Sequence, residues 1–120
     1  MPPSVVSEIL SEVLPPFSEE AEVAVLGAMF IDNEAIGTAL QLLTRDSFYK
    51  TAHQEIFHTA VELYDRNHAV DLVTLREELK RRDKLDTAGG VEYLTALIER
   101  VPSAANVEHY AEIVRERAVR

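Results

Sequence analysis

From Pro16 to Arg120, apolar residues recur at three- and four-residue spacing, in runs cut apart by proline, glycine and capping residues. That spacing lines one stripe of a helix; a half-buried strand would need a period of two. No stretch alternates with period two, and no segment repeats. The expected fold is therefore all-α, a compact bundle of about six helices joined by short connections.

The punctuation places each helix. Ser18 is a good N-cap, and Glu19, Glu20 and Glu22 sit where a helix dipole favours negative charge. Ala21, Ala24, Val25, Ala28 and Met29 form one stripe and Val23, Leu26 and Phe30 a second, so this first helix should be central and buried on most sides. Asp32 or Asn33 caps a second helix carrying Ile36, Ala39, Leu40 and Leu43, with Gly37 inside it. Thr51 and Gln54 have the form of a capping box before His53, Ile56, Phe57, Ala60, Val61 and Tyr64; Asn67 suits the left-handed end of that third helix. The fourth begins at Asp71 or Thr74, the latter paired with Glu77 as a second box, and fades through Lys84. Gly89-Gly90 precedes a fifth, with Tyr93, Leu94, Leu97, Ile98 and Val101, which Pro102 closes. Ser103 or Asn106 caps a sixth, with Val107, Tyr110, Ala111, Val114 and Ala118 on one face. No stop signal precedes Arg120, so this last helix is expected to be truncated and to continue past the end of the chain.

Ahead of the bundle, Pro2-Pro3 and Pro15-Pro16 bracket Val6, Ile9, Leu10 and Val13 at helical spacing. The segment is either a short amphipathic helix that docks on a neighbour or a disordered leader; as a terminal extension, residues 1–14 are expected to be a flexible arm.

Composition bounds the function. A chain of 120 residues suits one core, and no apolar run approaches the ~20 residues of a membrane span. The start lacks the basic-then-apolar order of a secretory signal, so a soluble, cytoplasmic protein is expected. The absence of cysteine rules out disulfides and thiolate metal sites. The net charge of −9 is uneven: residues 1–44 hold seven acids and no Lys or Arg. Nucleic-acid affinity rests on cations displacing counterions, so direct DNA binding is not expected, and partners should be proteins.

No residue pattern specifies chemistry. Gly27, Gly37, Gly89 and Gly90 begin no phosphate-binding loop. His53 and His58 lie about 140° apart around a helix, and His68 and His109 are remote, so no metal site is expected and His53 reads as a packing or capping residue. The acids are explained by helix starts and polar faces. Arg76, Lys80, Arg81, Arg82 and Lys84, interleaved with Glu77, Glu78 and Asp83, read as a solvated face ahead of a phosphate-binding patch. On the last helix, Ile113 and Val119 lie off the main stripe, which suggests packing against something outside this chain.

Three stretches carry a resemblance. Pro16-Phe17-Ser18-Glu19-Glu20-Ala21-Glu22-Val23-Ala24-Val25-Leu26-Gly27 resembles P-x-S-x-E-A-E-Q-A-V-L-G, the opening of the N-terminal domain of DnaB-family replicative helicases. Phe48-Tyr49 through His53, Ile56-Phe57 and Leu63 to Val70-Asp71-Leu72-Val73-Thr74-Leu75 is similar to that family's next block. Gly89-Gly90, Tyr93-Leu94 and Val101-Pro102-Ser103-Ala104-Ala105-Asn106, running into Tyr110 to Arg117, are similar to a third. Val23 replaces the usual Gln, and Asn67-His68-Ala69-Val70 replaces G-x-P-I.

The resemblance implies a non-catalytic collar domain: a helical head over residues 15–105, then the start of a helical hairpin over 106–120. The whole protein would be a ring-shaped homohexamer, its collar a trimer of dimers that receives the C-terminal region of primase, with a helicase loader as a further partner. ATP and magnesium would belong to a motor beyond Arg120, leaving no cofactor here. Interface candidates are Val91, Ile113, Arg115, Arg117 and Val119. The rival readings are a self-contained acidic adapter, a nucleic-acid binder using the Arg76 to Lys84 helix and, last, an independent enzyme.

Overall fold

Ser18 opens the first helix as its side chain predicts. In the computed structural model, which describes residues 17–118, its backbone is extended and its hydroxyl accepts the Ala21 N–H at 3.1 Å. Helix α1 (Glu19–Ile31) follows, then α2 (Glu34–Leu42). Asn33 holds the cap position of α2 without a side-chain cap bond, and the Asp32 carboxylate accepts the Glu34 N–H at 3.0 Å in its stead. Asn33 is occupied elsewhere: its amide donates to the Met29 and Val70 carbonyls at 2.9 and 2.8 Å and accepts the Val70 N–H at 2.9 Å. It thus ties the end of α1 to the loop before the fourth helix. The expected arm, residues 1–14, and Val119 lie outside the described residues.

A 3-10 turn at Arg45–Ser47, which the apolar pattern does not foretell, leads to α3 (Thr51–Asp65). The capping box expected of Thr51 and Gln54 does not form. Thr51 is already the first helical residue, Lys50 takes the cap position without a side-chain bond, and Gln54 donates instead to the Phe48 carbonyl at 2.8 Å. Asn67 does adopt the left-handed conformation, at φ 62°, and the His68 N–H returns to the Leu63 carbonyl.

Helix α4 (Leu72–Arg81) opens with a box built from Asp71 and Thr74 rather than Thr74 and Glu77. The extended Asp71 backbone lets its carboxylate accept the Thr74 N–H, while Thr74 Oγ1 accepts the Asp71 N–H, both at 2.9 Å. Thr74 lies inside the helix and cannot be its cap. At the far end Asp83, at φ 57°, makes a left-handed stop, with the Lys84 N–H on the Leu79 carbonyl. Gly89 has φ 101° and faces Tyr93 so closely that a side chain there would meet the ring at 2.7 Å. Helices α5 (Gly90–Glu99) and α6 (Val107–Ala118) complete the domain. Among the described residues there is no strand.

As the double stripe predicts, α1 is the central helix, touching α2, α3, α5 and α6. Val25, Leu26 and Met29 are wholly buried, joined by Ile36, Ile56, Leu75, Leu79, Leu94 and Leu97 from the surrounding helices. Each such side chain contributes about 1.5–3 kcal/mol relative to exposure. Leu40, assigned to the α2 stripe, is instead exposed. Helix α6 buries Val107, Ala111 and Val114 against α1, α2 and the 3-10 turn. Where α1 crosses the end of α5, the two pass so near that a Cβ on Gly27 would lie 2.8 Å from Val101 Cβ.

Candidate functional site

The most organised polar chemistry lies inside the domain. Glu22 of α1, buried although it belongs to the acidic first turn, reaches His53 of α3, with Oε1 2.6 Å from Nδ1. Its other oxygen accepts the Tyr49 N–H at 2.7 Å. The remaining histidine nitrogen, Nε2, lies 2.5 Å from the Tyr93 hydroxyl of α5. Both ring nitrogens of His53 thus face an oxygen, one from α1 and one from α5, so every polar atom in the chain of contacts has a partner. Burial pushes the Tyr93 phenol up, which keeps the hydroxyl protonated. Lys50 stands over the outer face of the Tyr93 ring, 5.5 Å from its centre, and pairs with Glu19 at 3.5 Å. Beside it Tyr49, exposed, stacks flat on Phe17 at 4.2 Å.

Sequence reasoning recognised His53 as a packing residue but missed its partners. Glu22 had a ready explanation in the helix dipole. The available signal was its face: Glu22 shares a stripe with Val25, Leu26 and Met29, three, four and seven residues on, whereas Glu19 and Glu20 leave the helix toward solvent.

A second cluster lies on the surface between α3 and α4. Glu78 receives Arg82 at 2.8 Å, Arg66 at 3.2 Å and Arg81 closer still, and Arg82 also reaches Glu62. Arg81 heads the causes that hold the Glu78 carboxyl down at about 2; Arg82 does the same for Glu62, which is also lowered. Arg76 pairs with Glu77. Most cations of the basic helix thus already face carboxylates, as the solvated-face reading expects.

The interface candidates are not gathered into one patch. Val91 is exposed on the first turn of α5, while Ile113, Arg115 and Arg117 belong to α6 on another flank of α1. Arg115 is exposed, Arg117 half-buried, and Ile113 half-buried against the core. Between these flanks runs a groove of about 440 Å³, floored by Val23, Ala24, Ala28 and Val101 and edged by Arg100 and Tyr110.

Among the described residues no group of three or more His, Asp and Glu is placed to hold a metal ion, and no helix is long and apolar enough to cross a membrane. The fold defines a small all-α domain of six helices packed around α1, the class to which the N-terminal domains of DnaB-like helicases belong. Residues 14–116 match the model of the DnaB-like helicase N-terminal domain, and the chain belongs to that family. It is 50% identical over 113 residues to the replicative DNA helicase DnaB of Geobacillus stearothermophilus, covering 94% of this chain and 25% of that protein. Over 107 residues it is 50% identical to the DnaB of Rhodothermus marinus, covering 89% of this chain and 11% of the other. The chain thus spans a quarter or less of these relatives.

Solved structures agree. The N-terminal domain of DnaB helicase from Mycobacterium tuberculosis superposes with a TM-score of 0.84 at 42% identity, over 88% of this chain and 77% of that one. A DnaB-like replicative helicase, described together with its interactions with primase, superposes at 0.73 and 29% identity, over 84% of this chain and 24% of its own.

Proposed function

We propose that this replicative-helicase N-terminal domain works by assembly: it brings helicase protomers together and receives the C-terminal region of primase, while the whole protein unwinds DNA with an ATP- and magnesium-dependent motor outside this chain. The observation that carries the reading is the superposition, at 29% identity, on a helicase known for its interactions with primase. In this reading residues 15–105 are the head and 106–120 begin a hairpin, the assembly is a hexamer with a collar of three dimers in the bacterial cytoplasm, and a loader is a further partner. Val91, Ile113, Arg115, Arg117 and Val119 are the contact candidates; exposure favours Val91 and Arg115 among them.

The test is sedimentation of the chain with and without Val91→Asp, Arg115→Glu and Arg117→Glu, together with calorimetric titration of a primase C-terminal region. Loss of a contact at an interface centre is expected to cost more than about 1 kcal/mol, or over fivefold in affinity. Unchanged self-association and unchanged primase affinity in all three variants would remove these residues from the proposal. Absence of any primase binding by the unaltered chain would remove primase from the proposal.

A further inference from the structure

A shelf with a depression of about 240 Å³ opens where the end of α1, the start of α4 and the outer face of α5 meet. Phe30, Leu72 and Ile98 line it and keep part of their apolar surface open to solvent, and Asp71 and Glu99 are the charges on its rim. Val73 and Val91, both exposed, flank it on α4 and α5. Leu72, Arg76 and Lys80, four residues apart, share one side of α4, turned away from the Glu78 and Arg82 side that meets α3. Asp71 thus stands at one end of this side and Lys80 at the other, about 14 Å along the helix. Among the described residues neither Glu99 nor Lys80 has an ion-pair partner, and Arg76 is matched only by its neighbour Glu77 at 3.5 Å.

A surface with acids at one end, bases at the other and apolar side chains between them is complementary to itself when turned end for end, which is what a two-fold contact between identical chains requires. We infer that a second copy of this chain docks on this shelf, the two α4 helices antiparallel, with Lys80 and Arg76 of each copy reaching Glu99 and Asp71 of the other. The aliphatic stems of the two cations then cover Leu72 and Ile98 while their heads stay at the wet rim. The inference deepens the assembly reading and rests on it, since Val91, one of its contact candidates, shares the outer face of α5 with Thr95 and Ile98. A patch about 14 Å long buries well under the ~800 Å² per partner of a stable interface, so the contact is weak alone and gains strength where copies are already held together.

The test is sedimentation equilibrium of the full chain at millimolar concentration, with Lys80→Glu, with Glu99→Lys, and with the two variants mixed. Each variant alone sets like charges together twice across the two-fold axis and is expected to self-associate at least ~10-fold more weakly than the unaltered chain. Mixed, the two regain both opposite-charge contacts, and association is expected to return to within about threefold of the original. One chain carrying both reversals keeps the net charge of −9 and is expected to recover as well, which separates pairing from overall charge. A mixture no tighter than either variant would overturn the proposal. Undiminished self-association in both single variants would overturn it too, while leaving assembly through α6 in place. No association of the unaltered chain at any concentration would overturn this surface and count against assembly by this domain as well. As the unaltered chain is concentrated, the methyl NMR signals of Leu72 and Ile98 are expected to shift and those of Leu40, exposed on α2, to hold still. The reverse would place the second copy elsewhere and overturn the shelf as its seat.

Discussion

The two charged clusters use similar residues under opposite conditions. At Glu22, His53 and Tyr93 the carboxylate and imidazole are buried, and each bond points along one direction to one partner. At Glu62 and Glu78 the partners are long arginines, and the half-buried Glu78 carboxylate serves three of them, two of which, Arg66 and Arg81, are open to water. Water can replace Arg66 or Arg81 where either leaves the second cluster. Nothing described around the first offers that exchange. The inner cluster therefore dictates which helices meet, whereas the outer one adds only a modest stabilisation to an α3–α4 pairing that Leu75 and Leu79 already secure.

Glu22→Ala tests this contrast most severely. It leaves His53 Nδ1 and the Tyr49 N–H without their partner, and a loss of about 2–4 kcal/mol is expected in urea unfolding, because each buried polar group left unpaired costs about 1–3 kcal/mol. A loss under 1 kcal/mol would erase the contrast between the two clusters. Tyr93→Phe removes only the hydroxyl facing His53 and should cost about 1–2 kcal/mol by the same measurement, with helix content unchanged by circular dichroism. Glu78→Gln is expected to cost no more than about 1 kcal/mol and to lose even that in high salt.

The pH dependence sharpens the same comparison. Glu78 is held near 2 in the folded domain against 4.5 for the free side chain, so between those values the unfolded chain binds the extra proton. Its contribution is present above about pH 4.5 and is lost as pH falls toward 2. Unfolding curves of the unaltered chain and the Gln variant should therefore converge across that window, and parallel curves would count against the arginine pairing.

The same contrast explains what was legible beforehand. Apolar stripes and local caps report on neighbours within four residues, so the six helices, the Ser18 cap and the Asn67 stop could be read directly. Where several residues of one type compete for a local role, the pattern does not say which wins. Thr51 and Thr74 each look like caps, but Lys50 and Asp71 hold the extended position before the helix, and at α2 the cap position falls to Asn33 while the bond to the Glu34 N–H comes from Asp32. Contacts across long separations left weaker marks. Asn33 reaches Val70 over 37 positions and His53 reaches Tyr93 over 40, and spacing alone encodes neither. The groove was equally invisible, since it exists only where three elements from different parts of the chain meet.

The crossing at Gly27 has a consequence for direction. Because α1 and Val101 meet there with no room for a side chain, the loop that launches α6 starts from a fixed point beside the central helix. Helix α6 behaves as a pointer about 18 Å long, so a tilt of 10° at its base displaces its tip by about 3 Å. A single missing methyl group thereby aims the far end of the domain, and anything joined to that end inherits the aim.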